Sequence, residues 1–152
     1  MRIKSVMRAI FLGVFLFGFV SVSMAQGASD INNPCDYLTL DEVNSVIGGA
    51  AKTTMPIAGI TCMYVPAHVM VVITSTNATM DIFNKSTAQV PNTKPVEGIG
   101  DKAIEILDST DPTGGVSVMF IKNKTIASVK VGSQDQNQSK AEALAKILAS
   151  KF

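Results

Sequence analysis

Few residues in this chain have side chains that could do chemistry. Cys35 and Cys62 are its two cysteines and His68 its one histidine. A thiol nucleophile needs a nearby base, so a pairing of either cysteine with His68 is the one Cys–His arrangement open to it. A metal reading would start from Met63, His68 and Met70, because thioether donors select Cu(I). With Met55, Met80 and Met119, however, these methionines lie in apolar runs, where methionine usually fills a core. The expectation is therefore core packing and no metal. Glu97, Asp101, Glu105, Asp108 and Asp111 concentrate acid without the ligand spacing of a calcium loop. They read as a solvated face, with Glu105 turned to solvent; a surface for a basic partner is the alternative. Gly98-x-Gly100 opens like a dinucleotide fingerprint but lacks its third glycine, and strand-like alternation follows, so it reads as a backbone turn. Ser75 and Thr76 have no visible base, and no nucleophile elbow or paired-histidine motif occurs. No catalytic residue, metal ligand or cofactor is expected.

The redox state of the cysteines depends on compartment, and the N-terminal residues speak to that. Arg2, Lys4 and Arg8 precede the apolar run Ala9–Val22, and Ser23-Met24-Ala25 supplies small residues around a middle position. This is the pattern of a secretory signal cleaved after Ala25, in a run too short for the about 20 apolar residues that span a bilayer. The expected organisation is a signal at 1–25, a flexible lead-in at 26–33 and one domain at 34–152. Without Arg2, Lys4 and Arg8 the 13 basic residues fall to 10 against 12 acidic, a formal net charge of −2. That balance, with few aromatic residues to stack bases, speaks against nucleic acid as a partner. Nor does a stable membrane anchor remain after cleavage. In an oxidising compartment two cysteines most simply form a disulfide, so Cys35–Cys62 is the expected pairing. A lipid-anchor role for Cys35 does not fit, since it lies ten residues past Ala25 behind Asn32-Asn33-Pro34.

The elements that must position these residues are legible by pattern. Thr39-Leu-Asp-Glu42 is a capping box, Leu40, Val43 and Ile47 make an apolar stripe, and Gly48-Gly49 stops the helix. A first strand at Ala50–Pro56 and a turn at Ile57-Ala58-Gly59 precede a strand over Ile60–Val65, which would put Cys62 and Tyr64 on one face, with Met63 and Val65 on the other. His68–Ser75 is apolar on both faces and predicts a central strand. Met80, Phe83 and Thr87 are spaced for a helix, and Val90–Asp101 is loop chemistry. Strands are predicted at Ala103–Leu107, Val116–Ile121 and Thr125–Val131, the last two joined at Asn123, which tolerates a positive φ. A terminal helix opens on a second capping box, Ser139 with Glu142, and aligns Ala141, Leu144, Ala145, Leu148 and Phe152. The fold class is α+β: an antiparallel sheet of about five to six strands with a short first helix, a weak middle helix and a C-terminal one. Three strands and a helix, occurring twice, suggest a duplicated topology.

"PCDYLTLDEVNSVIG", the second cysteine in "ITCMYV", "VEGIGDKA" and the closing "KAEALAKILAS" follow in an order that resembles a family of small exported bacterial domains of unknown function. The resemblance runs from Pro34 to the end. It implies a disulfide-stapled α+β domain and no established catalytic residue. Many such domains are lipoproteins, and this chain departs from them in lacking a lipid-accepting cysteine after the signal.

The function expected from these features is that of a non-enzymatic binding or interaction module in the cell envelope. A carrier of a small apolar ligand is the alternative, and an enzyme comes third. The partner is an envelope protein in the first case and the apolar ligand in the second. A deep apolar cavity would favour the carrier and an exposed apolar patch the protein partner.

Overall fold

Pro34 opens a short 3-10 turn over Pro34–Asp36, and Asn33 caps it by accepting the amide of Cys35 at 3.1 Å. Helix α1 (Leu40–Ile47) then starts where the capping box predicts. Thr39 Oγ1 accepts the Glu42 amide at 3.2 Å, and the Glu42 carboxylate accepts the Thr39 amide at 2.8 Å. Gly48 ends the helix in left-handed backbone with φ 86°, a conformation that costs glycine nothing. The computed structural model describes residues 33–109, 114–132 and 136–152; the expected signal and the lead-in through residue 32 lie outside them, as does Asp111.

Seven strands follow, all in one antiparallel sheet: β1 (Thr53–Ile57), β2 (Thr61–Val65), β3 (Val69–Ser75), β4 (Thr93–Val96), β5 (Lys102–Leu107), β6 (Val116–Lys122) and β7 (Thr125–Val131). Their order across the sheet is β1-β2-β3-β7-β6-β5-β4, so β3 is interior, as its apolar composition predicts. The strand count exceeds the expectation because of β4, which lies in the stretch read as loop. Pro95 gives β4 a loop-like sequence, but on an outer strand a missing amide is tolerated. The β6–β7 hairpin turns on Asn123 and Lys124 with φ 45° and 67°, the pair of left-handed residues that matches sheet twist.

Helix α2 (Met80–Thr87) and helix α3 (Asn137–Ala149) lie on opposite faces of this sheet. On the front face α1 and α3 bury Val43, Ile47, Leu144 and Leu148 against Tyr64, Val71, Val118, Phe120 and Val129. On the back face α2 buries Phe83 against Ile104, Ile121 and Ile126. The second half of the chain contributes four strands to the first half's three, and the two following helices cover different faces, so a simple duplication does not describe the topology.

Two local expectations are corrected. Ser139 does not cap α3: the helix begins at Asn137, its N-cap Gln136 makes no side-chain cap bond, and Ser139 Oγ donates to the Gln136 carbonyl at 3.0 Å. Glu142 instead accepts from Gln138 at 3.3 Å. Glu105, expected at the surface, is 1% exposed on the front face, in register with Val118 on β6 and Lys94 on β4. Apolar residues flank it on both faces of β5, so one polar side chain could not reveal which face was wet.

Candidate functional site

The disulfide joins Cys35 to Cys62, with 27 residues of separation and Cα atoms 5.1 Å apart. Cys62 is buried on the front face of β2, and Cys35 packs half-buried against the core at the entrance to α1. Two further ties act on the same segment. The Tyr64 hydroxyl donates to the Leu38 carbonyl at 2.6 Å, and Lys151 pairs with Glu42 at 2.7 Å. Burial, assisted by the Glu42 charge, pushes the Tyr64 phenol well above its usual range, so it serves as a structural donor. With both cysteines bonded, no thiol is left for His68 to activate.

The back face differs in character. Helix α2 is eight residues long and covers only the side of the sheet built from β5, β6 and β7. Among the described residues no element covers the back-facing residues of β1, β2 and β3. Met55 opposes Met63, and Met63 opposes Met70, so three methionines stand side by side on three adjacent strands. The next residue in that row is Lys130, which pairs with Asp108 at 3.1 Å. Around the row lie Ile57, Val65 and Val72, with Ile57 39% and Met55 46% exposed. The row is thus an apolar surface with a charged pair at its Lys130 end.

The core-filling expectation holds for Met119, which packs against the back-face core, and is corrected for the others. Met55 and Met80 are exposed, Met63, Met70 and Met119 are half-buried, and the large front-face core is built without methionine. Sequence alternation puts Met63 and Val65 on the face opposite Cys62; what it cannot tell is that no described element covers this second face. His68 sits in the β2–β3 turn with φ 53° and lines, with Met63, Val65 and Pro66, an open recess of about 170 Å³.

The remaining candidates do structural work. Asp101 accepts the Asn123 amide at 3.1 Å, and Asp108 holds Lys130, so neither merely solvates a loop. Gly98 and Gly100 form the turn into β5, where a Cβ on Gly100 would stand 2.5 Å from the Ile121 carbonyl oxygen. Ser75 Oγ accepts the Asn77 amide at 3.3 Å. Neither carboxylate oxygen of Glu105 has a hydrogen-bond partner. Among the described residues no group of three or more His, Cys, Asp or Glu is placed to hold a metal ion, and no helix is long and apolar enough to cross a membrane.

The sheet's edges are poor docking positions by contrast. Its outer strands β1 and β4 each contain a proline, Pro56 and Pro95, which cannot donate to an added strand. Comparison with family models, curated proteins and solved structures finds no match to this chain.

Proposed function

We propose that this chain is an exported, non-enzymatic interaction module that docks an apolar surface of an envelope protein on the open back face of β1–β3. The observation that carries this reading is the uncovered methionine row Met55–Met63–Met70, bounded by the Lys130–Asp108 pair. Methionine side chains are flexible and polarisable, which suits them to apolar partners of varied shape. The front face, by comparison, is sealed by α1 and α3, and the proline-bearing edges disfavour strand addition. The Cys35–Cys62 bond fits an oxidising compartment, and the basic start with its short apolar run supplies the route there, with cleavage after Ala25.

The carrier reading has less support. Among the described residues, the recess beside His68, about 170 Å³, and one beside Asn92 and Asp108, about 270 Å³, fall below the roughly 300–1,000 Å³ of small-molecule sites. Affinity capture of the processed protein from its own envelope extract, followed by mass spectrometry of proteins and lipids, tests the choice. The expected result is a protein retained by the native chain and lost by Met55→Glu/Met70→Glu. Specific recovery of lipid, unaffected by that change, would favour the carrier and overturn the docking reading.

A further inference from the structure

We propose that Met63, Met70 and His68 together form a Cu(I) site on the open face. Methionines that fill a core need no further explanation, but none of these is fully buried, and Met63 and Met70 face one another on a surface that no described element covers. Directly opposed residues on one face of an antiparallel pair hold their Cβ atoms about 4.5–5.5 Å apart. Each thioether sits at the end of a flexible two-carbon stem, so both sulfurs can converge on one ion between the strands. Met55 is the third methionine of the row, but it lies two strand spacings from Met70, about 9.5 Å. An ion held between Met63 and Met70 lies on the side of Met63 away from Met55, which leaves the third position to a donor further along the strands.

His68 lies in the turn between β2 and β3, two residues before Met70, and lines the same recess as Met63. Its side chain is exposed, so the imidazole is accessible to an ion from solvent. Two thioethers and one imidazole form a soft donor set without a carboxylate, and such a set selects Cu(I) over magnesium, calcium or manganese. The site shares a face with the proposed docking surface but does not depend on a partner.

The test is an anaerobic titration of the disulfide-bonded protein with Cu(I) against a chromophoric Cu(I) chelator. Ag(I) serves as a redox-inert probe in methionine-methyl NMR. The expected result is one equivalent bound, with the methyl signals of Met63 and Met70 and the ring signals of His68 shifting while Met80 and Met119 stay in place. Met63→Leu/Met70→Leu should lower affinity by more than the ~10–100-fold that loss of an outer-shell partner costs, with an unchanged melting curve. Because leucine keeps the face apolar, protein capture should survive this variant, which separates failure of the metal site from failure of docking. Absence of saturable binding, retention of affinity in the double variant, or equal shifts at all methionines would each overturn the proposal.

Discussion

Breaking the Cys35–Cys62 bond should cost the domain a large part of its stability while leaving its architecture recognisable. The bond closes a loop of 27 residues of separation, for which the chain-entropy model gives about 3.5 kcal/mol at 25 °C. Whole domains are stable by only ~5–15 kcal/mol, so the effect is easy to measure. Alanine is the right replacement, because a serine hydroxyl at the fully buried position of Cys62 would add the penalty of an orphaned polar group. Cys35→Ala leaves Cys62 as a buried thiol, which behaves as a small apolar side chain. The single variant and Cys35→Ala/Cys62→Ala should therefore lose similar stability. For a domain of this size the loss corresponds to a fall in Tm of roughly 10–20 °C. The segment retains the Tyr64–Leu38 hydrogen bond and the packing of Val43 and Ile47, so native circular dichroism should persist at low temperature. Urea unfolding of both variants under non-reducing conditions measures the difference. A loss below about 1 kcal/mol, or two alkylatable thiols in the native wild-type protein, would refute the reasoning.

Two further outcomes follow from charged groups. Replacing Glu105 by Leu should raise stability by about 1–3 kcal/mol, because it removes a buried carboxylate with no partner from an apolar setting; a lower Tm in thermal unfolding would show that the carboxylate makes a compensating interaction in solution. The Lys151 hydrogen bond, then the Thr39 amide, hold the Glu42 carboxyl below its ordinary value of 4.5. Its contribution is thus fully present above that value and lost as pH falls through the lowered one, so Lys151→Ala should reduce Tm near neutrality and converge with wild type in strong acid, and a gap that persists undiminished at low pH would contradict the assignment.

What could be read from the sequence was local. The Thr39–Glu42 box, the Asn123 turn and the apolar stripe of α3 each specify their element within a few neighbouring residues, and each appears where expected. The paired cysteines were legible because the choice was between two residues. What escaped depends on how distant elements cover one another. β3 is apolar on both faces, a pattern that predicts burial on both, yet α2 is too short to reach across its back. The Met55–Met63–Met70 row exists only once three strands are in register, so no spacing along the chain announces it. Glu105 shows the same limit from the other side. Ala103, Ile104 and Ile106 leave both faces of β5 apolar, and the face on which α3 lies was not written in β5 itself. β4 was hidden by Pro95, whose local preference for loops is overridden by pairing with β5 at the sheet's edge.

Site-specific photocrosslinking in the intact cell envelope tests most directly the proposed docking of a partner on the back face of β1–β3. A photoreactive residue is placed in turn at Met55 and Met70 on that face, and at the exposed Lys146 on α3 on the other side of the sheet. Discrete protein adducts from Met55 and Met70, with none from Lys146, are predicted. Adducts of the same kind from Lys146, or their absence from both methionine positions, would contradict it.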